Sequence, residues 1–335
     1  MKTMKRMMIV DAQNQFIRSY IVNPTMTPNG FPIGGTVGFL HTLNKLCNQI
    51  KPDLFVVVWD GEGGSLQRRM MNKSYKMGRK PPKLKSQSYK RLNRWVNEMS
   101  DEEVEENRLW QQLRTIEYVN QMPIVQFREP NVEADDVISY VKSMPVFSDW
   151  QKVVVSSDKD FIQLLDNETL LFRPTQAEVL NTNRILETHS IHPTNFALAR
   201  AMVGDKSDNL DGLPGVGLKT VAKAFPFLSE EKDYLLSDIK EYSEEMIEES
   251  KLKIYDKVLE DYQKVCNNYS IMQLATPLIS VQSASYINQT FEEYEPMLNM
   301  TEVRKMLSSD GMMATNLDCL VRRFNAMIQE GTGFN

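Results

Sequence analysis

Histidine and cysteine are both scarce: the 335-residue chain holds three of each, at His41, His189 and His192 and at Cys47, Cys266 and Cys319. The cysteines are far apart, odd in number and without a CxxC, so neither a disulfide framework nor a structural zinc site can be assembled from them. A reducing compartment is expected. So few histidines leave little for imidazole chemistry, and carboxylates become the first candidates. Long apolar runs are missing as well. The longest, residues 54–59, has six residues, where a bilayer span needs ~20. The apolar stretch near the start is about four residues long and is closed by Asp11, well short of a signal-peptide core. No targeting signal is visible, and a cytoplasmic location is expected. No GxxxxGK[ST] string occurs, so nothing supports ATP use.

What remains is a folded chain of ordinary composition. Hydrophobic content of 41% and charge of 25% argue against wholesale disorder, collagen or a coiled coil. The length implies two domains, or one large domain with a satellite. Net charge is −5, which by itself would discourage a nucleic-acid partner, but the distribution matters more. Residues 63–97 carry eleven Lys or Arg and no acid, a polyanion footprint interleaved with Tyr75, Tyr89 and Trp95. Six acids follow within residues 98–106, and this block reads as a solvated helix face.

Residues 7–10, 54–59 and 152–156 read as buried strands, separated by helical periodicity such as 37–50, with weaker strands at 124–127 and 169–172. Such alternation implies a parallel α/β sheet. Each strong strand runs into aspartate: Asp11, Asp60, then Asp158 with Asp160 two further on. In a parallel sheet the carboxyl ends share one edge, where such sheets bind ligands. A predicted helix after the fourth strand opens with Glu133, Asp135 and Asp136, and the loop VGDKSDN adds Asp205 and Asp208. Nine carboxylates at element ends are too many for one metal. Oxygen-only ligation suits Mg²⁺ or Mn²⁺ and disfavours zinc. Two such cations can drive an in-line phosphodiester displacement, so the chemistry indicated is metal-dependent hydrolysis of nucleic acid.

Past residue 196 the composition turns helix-rich, with helices expected at 196–203 and 218–225 and a long exposed acidic stretch at 229–261. Between the first two lies GLPGVGLKT, where Gly215 and Gly217 are expected to make a tight hairpin whose amides accept a phosphate, helped by Lys219 and Thr220. This pattern resembles a helix-hairpin-helix grip on a duplex backbone. In the basic segment YKMGRKPPK, Lys76 or Arg79 placed over the metals is expected to stabilise transition-state charge.

The strings VEADDVI from Val132, SDKDFIQLL from Ser157 and VGDKSDNLDGLPGVGLKT from Val203, with WDG at Trp59 and YKMGRKPP from Tyr75, resemble the signature blocks of the 5′-nuclease family. That family includes flap endonucleases, phage 5′→3′ exonucleases and the nuclease domain of bacterial DNA polymerase I. The likeness runs from Met7 to about Phe225, and the length and helical C-terminal part are similar to phage enzymes of the RNase H type. The resemblance implies a PIN-like α/β nuclease domain with a mostly parallel sheet over residues 1–195, including a helical basic arch at about 62–118. A helix-three-turn-helix and helical C-terminal domain is expected over 196–335. It also implies two or more Mg²⁺ or Mn²⁺ ions. Asp11, Asp60, Glu133 and Asp135 would serve the first and Asp158, Asp160, Asp205 and Asp208 the second, with Asp136 between. Lys76 and Arg79 would act on the scissile phosphate, Arg68, Lys80, Gly215, Gly217, Lys219 and Thr220 would contact nucleic acid, and K⁺ would sit at the hairpin module. The substrate would be a DNA or RNA–DNA duplex with a 5′ flap, nick or primer. A monomer working with a replication clamp or single-strand-binding protein, and no membrane, completes the expectation. Ala12 departs from the glycine often found after the first aspartate, and the arch carries extra basic residues.

Two other classes fit less well. A duplex-binding scaffold has no use for nine converging acids, and an Asp-nucleophile phosphatase wants DxDx[TV] where Asp11 is followed by AQNQF. A polymerase fusion is not expected, because about a hundred residues follow the nuclease region.

Overall fold

The computed structural model describes residues 4–79 and 99–331. In chain order the first elements are β1 (Arg6–Asp11), α1 (Ala12–Val22), α2 (Gly34–Ile50), β2 (Leu54–Val58), the short α3 (Leu66–Met71) and α4 (Asp101–Asn120). Next come β3 (Val125–Phe127), α5 (Ala134–Lys142), β4 (Gln151–Val155), β5 (Thr169–Arg173) and β6 (Glu178–Leu180). The sheet order is β3-β2-β1-β4-β5-β6; the first five strands run parallel and β6 is antiparallel. The five expected strands are present within a residue or two. The edge strand β6 was not foreseen, since three residues with one buried side chain carry no periodic signal.

The strands read as continuous apolar runs because both faces are covered. Along β1, Met7 and Ile9 join one core while Met8 and Val10 join the other, and β2 divides in the same way between Val56 and Val57. The first core is closed by α5 through Val137, Ile138 and Val141. The second is closed by α1 and α2. Trp59, one residue past β2, stacks on Phe39 at 5.5 Å and donates from Nε1 to Gln126 at 2.7 Å, so the chain leaving the strand is fixed where Asp60 begins.

Helices α6 (Thr182–His189), α7 (Phe196–Val203), α8 (Leu218–Ala224), α9 (Leu236–Glu249), α10 (Ile254–Glu260), α11 (Tyr262–Met272), α12 (Val281–Glu292), α13 (Met300–Ser309) and α14 (Asp318–Glu330) follow. The expected acidic helix over 229–261 is two helices, α9 and α10, separated at residues 250–253.

Two sets of contacts cross the expected boundaries. The helix α4, assigned to the arch, packs against α2: Gln111 accepts from Gly35 N at 2.7 Å and Thr36 donates to the Gln111 carbonyl at 3.0 Å. Its acidic first turn is the solvated end, capped by Ser100 and Glu103. Nor do residues 196–335 stay together. Helices α13 and α14 return to the second core through Val303, Leu320 and Phe324, and Arg114 pairs with Asp310 at 2.8 Å. An amphipathic helix announces that it has an apolar face, not which surface covers it.

Candidate active site

The parallel register sets the first carboxylates. Asp11 is level with Val58 of β2, and Val10 is level with Val155 of β4. Asp60 and Asp158 therefore follow at the same edge of the sheet, where the strand order turns back on either side of β1.

Each acid is held by a local device. Asp11 caps α1, accepting from Asn14 N at 3.1 Å and from the Ser156 hydroxyl at 2.7 Å. Asp60 reaches across to accept from Ala134 N at 3.0 Å, a remote cap for α5. The turn after it needs Gly61, because a Cβ there would lie 1.5 Å from the Glu129 carbonyl oxygen. Asp158 accepts from Asp160 N at 2.9 Å. Asp205 accepts from the Ser207 amide and hydroxyl at 2.7 and 2.6 Å. Asp135, Asp160 and Asp208, from three separate stretches of chain, border one small gap beside Tyr75.

Protein cations stand among them. Lys76 Nζ lies 2.7 Å from Glu133 Oε1, and Arg79 pairs with Asp208. Arg200, on α7, donates to Asp160 at 3.2 Å and also pairs with Asp205. A cavity of about 720 Å³ opens on the Asp60 side, lined by Asp60, Glu133, Arg69, Lys73, Lys76 and Arg79.

The electrostatics separate two kinds of acid. Burial first, and then the charges of Asp60 and Asp158, push Asp11 up to about 7 against the hydrogen bonds it accepts. Burial and Asp158 likewise push Asp160 up to about 7, despite Arg200. Asp135 is raised well above the usual range by burial, Asp158 and Asp11. Burial, with Asp205 and Asp158, also raises Asp208 against the pull of Lys76 and Arg79. By contrast, burial would raise Glu133 too, but Lys76 and Arg68 hold it below the usual range, and Ser207 and Arg200 do the same for Asp205. The acids lacking enough protein cation are those that resist ionisation.

Some expected residues fall elsewhere. Arg68, expected as a nucleic-acid contact, is 3% exposed and turns inward: it forks onto Asp136 at 2.5 and 3.1 Å and donates to the Ile271 carbonyl at 2.8 Å. Asp136, expected among the metal ligands, is engaged by protein groups. Its oxygens are taken by Arg68 and by Leu278 N at 2.9 Å, which ties α5 to the chain beyond α11. A guanidinium inside a basic run reads as surface, yet its fork needed buried carboxylates. In the hairpin, Gly215 is left-handed (φ 70°), whereas Gly217 is extended (φ −126°) and caps α8. Lys219 is exposed and Thr220 half-buried on the first turn of α8, while Lys80 lies outside the described residues. Arg200 was not foreseen. Its signal was a lone cation in the apolar string FALARAMV, five residues before Asp205.

A sheet of this order with carboxylates crowded at its carboxyl edge defines a PIN-like nuclease fold. The chain belongs to the 5′-3′ exonuclease family, nucleases that act on phosphodiester bonds: the model for its N-terminal resolvase-like domain matches residues 6–190. A 5′-3′ exonuclease of Aquifex aeolicus is 29% identical over 219 residues, covering 65% of this chain and 68% of that one. A DNA polymerase I of Caldicellulosiruptor bescii is 27% identical over 228 residues, 65% of this chain but 24% of the polymerase. Among solved structures, the bacteriophage T5 flap endonuclease in a complex with DNA and metal ions matches with TM-score 0.62 and 17% identity over 97% of this chain and 98% of that one. The Rad2 catalytic core with DNA substrate matches with TM-score 0.52 and 13% identity, covering 95% and 92%.

Proposed function

We propose that this chain is a divalent-metal-dependent, structure-selective 5′→3′ exonuclease and flap endonuclease that removes DNA flaps or RNA primers from duplexes. The observation that carries the reading is that Asp135, Asp160 and Asp208 border one gap while burial, together with the charge of Asp158, raises all three. Such a cluster is relieved by bound cations.

The donors fit hard cations in chemistry: every candidate is a carboxylate, and neither His nor Cys lies among them. Among the described residues no group of acids yet stands in a ready ligating arrangement. Lys76, Arg79 and Arg200 occupy part of the oxygens, so carboxylates must exchange these partners for metal. When bound, Mg²⁺ or Mn²⁺ would supply Lewis-acid activation of water and stabilisation of the leaving oxygen. Asp11, Asp60, Glu133 and Asp135 would hold it on one side, and Asp158, Asp160 and Asp208 on the other, with Asp205 oriented by Arg200.

The chain's own part is to place charge. Lys76 and Arg79 enter the cleft beside the acids, where a phosphate's non-bridging oxygens offer a partner when Glu133 and Asp208 turn to metal. The hairpin 212–217 presents backbone with open space at Gly217, where a duplex phosphate meets no side chain. The T5 and Rad2 neighbours, described with DNA, support a DNA partner.

Digestion of end-labelled flap, nicked and RNA-primed duplexes, with and without Mg²⁺, tests the reading. Mg²⁺-dependent release of 5′ products supports it. Cleavage unchanged in excess chelator refutes it.

A further inference from the structure

Two non-glycine residues with left-handed backbones meet at the edge of the cleft: Lys76 (φ 53°) and Asn209 (φ 60°). Asparagine tolerates that conformation well; lysine does not, and holds it only where neighbours impose it. The imposing contacts come from the loop that carries Asp205 and Asp208. The Lys76 amide donates to the Asp208 carbonyl at 2.9 Å. One residue on, the Asn209 side-chain amide donates to the Ser74 carbonyl at 3.0 Å. Arg79 then donates to the Ser207 carbonyl at 3.2 Å. Residues 74–79 are thus laced to residues 207–209, and Asn209 contributes the side-chain link nearest Lys76 on its N-terminal side.

We propose that Asn209 is a positioning residue for the reaction. Its amide fixes the Ser74 carbonyl, and with it the turn that aims the Lys76 ammonium at the carboxylates. A lysine side chain is long and flexible, so Nζ has a defined place only if its own backbone is fixed. Among the described residues the Asn209 side chain bonds Ser74 and none of the cleft acids, so it acts through Lys76 rather than on the reacting atoms. The link also joins the two halves of the site, the loop leading to the hairpin and the base of the basic segment. The inference rests on Lys76 serving the scissile phosphate, as proposed above.

Asn209→Gly and Asn209→Asp separate the amide from the turn. Glycine keeps the left-handed backbone without strain and removes the side chain, whereas aspartate keeps size and turn tolerance but turns the donor into an acceptor facing a carbonyl. Each is expected to lower the single-turnover cleavage rate about tenfold, the loss of one positioning contact. Duplex Kd should stay within about twofold and the thermal midpoint should be unchanged. In a Lys76→Ala background neither should cause further loss, because the residue positioned is gone. Wild-type rates in both single variants overturn the inference, as does a tenfold loss that multiplies fully onto Lys76→Ala. If Lys76→Ala alone cleaves at the wild-type rate, the role given to Lys76 falls first, and the inference falls with it.

Discussion

The ammonium of Lys76 lies 2.7 Å from a carboxylate oxygen of Glu133, with the two side chains 16% and 4% exposed. Two opposite charges this sheltered attract each other with little solvent screening, and either one alone would be costly to bury. Glu133 also accepts from Arg68 and Tyr75, each at 3.1 Å, so it stays compensated if Lys76 leaves. Lys76, with its ring neighbour Tyr75 4.9 Å away, is therefore free to exchange a carboxylate for a phosphate.

Lys76→Ala should lower the single-turnover cleavage rate by ~100-fold, the scale of one preorganised donor, with duplex Kd within a few-fold. Rapid-quench cleavage beside a binding titration checks this. An equal loss of affinity at unchanged rate would make Lys76 a binding residue only.

Arg68 should matter for stability and Asp136 should not matter for metal. Arg68→Ala leaves Asp136 and Glu133 buried with fewer partners, and a loss of ~3–5 kcal/mol is expected in denaturant unfolding. At equal temperature and pH, Asp136→Asn should keep the wild-type Mg²⁺ concentration for half-maximal rate, whereas Asp135→Asn should abolish activity. A raised Mg²⁺ requirement in Asp136→Asn would restore it to the ligand set.

Stability without metal should fall with rising pH in a defined window. Asp11 has an unfolded value near 3.8 and is raised to about 7 in the fold. The folded state therefore binds the proton more tightly, and its contribution is full below about 4 and lost as pH rises toward 7. In excess chelator, Asp11→Asn should melt higher than wild type at pH 8, and the gap should close at pH 4. Mg²⁺ added at pH 8 should stabilise wild type more than the variant. Thermal denaturation at both pH values measures this, and a gap independent of pH would contradict it.

The hairpin glycines should fail in different ways. Gly215 has a left-handed backbone in open space, so Gly215→Ala should cost ~1 kcal/mol of stability through strain alone. Gly217 is extended, with nothing within 4 Å of a Cβ placed there, so Gly217→Val should leave the thermal midpoint unchanged and weaken duplex binding if a phosphate approaches there. Single-strand binding serves as the control. Equal loss on both substrates would remove the hairpin's role as a duplex grip.

How much of this was legible in the chain depended on whether the signal was local. The strands β1, β2 and β4 announce themselves because both faces are buried, giving runs such as LFVVV. The acids that follow them are readable for the same reason: a charge that abruptly ends a buried strand has to lie at its end. The burial of Arg68 was not legible, because its neighbours Arg69 and Lys73 are exposed and nothing in the local string marks the cation that turns inward. The engagement of Asp136 has no local mark either, since its partner lies 68 residues away. The return of α13 and α14 to the sheet also has no local mark. Val303 and Phe324 define apolar faces, and only the assembled structure shows that the second core receives them.

The most direct test of the central claim is single-turnover cleavage of a 5′-end-labelled flap duplex by Asp158→Asn across a Mg²⁺ titration, with duplex Kd measured in parallel. Asp158 faces Asp11, Asp135 and Asp160, and its charge raises all three. If Asp158 is a metal ligand as proposed, neutralising it removes a ligand but no phosphate contact, so cleavage should be lost at every Mg²⁺ concentration while Kd stays within a few-fold or tightens. Cleavage within tenfold of wild type would contradict a carboxylate-held metal centre at this cleft.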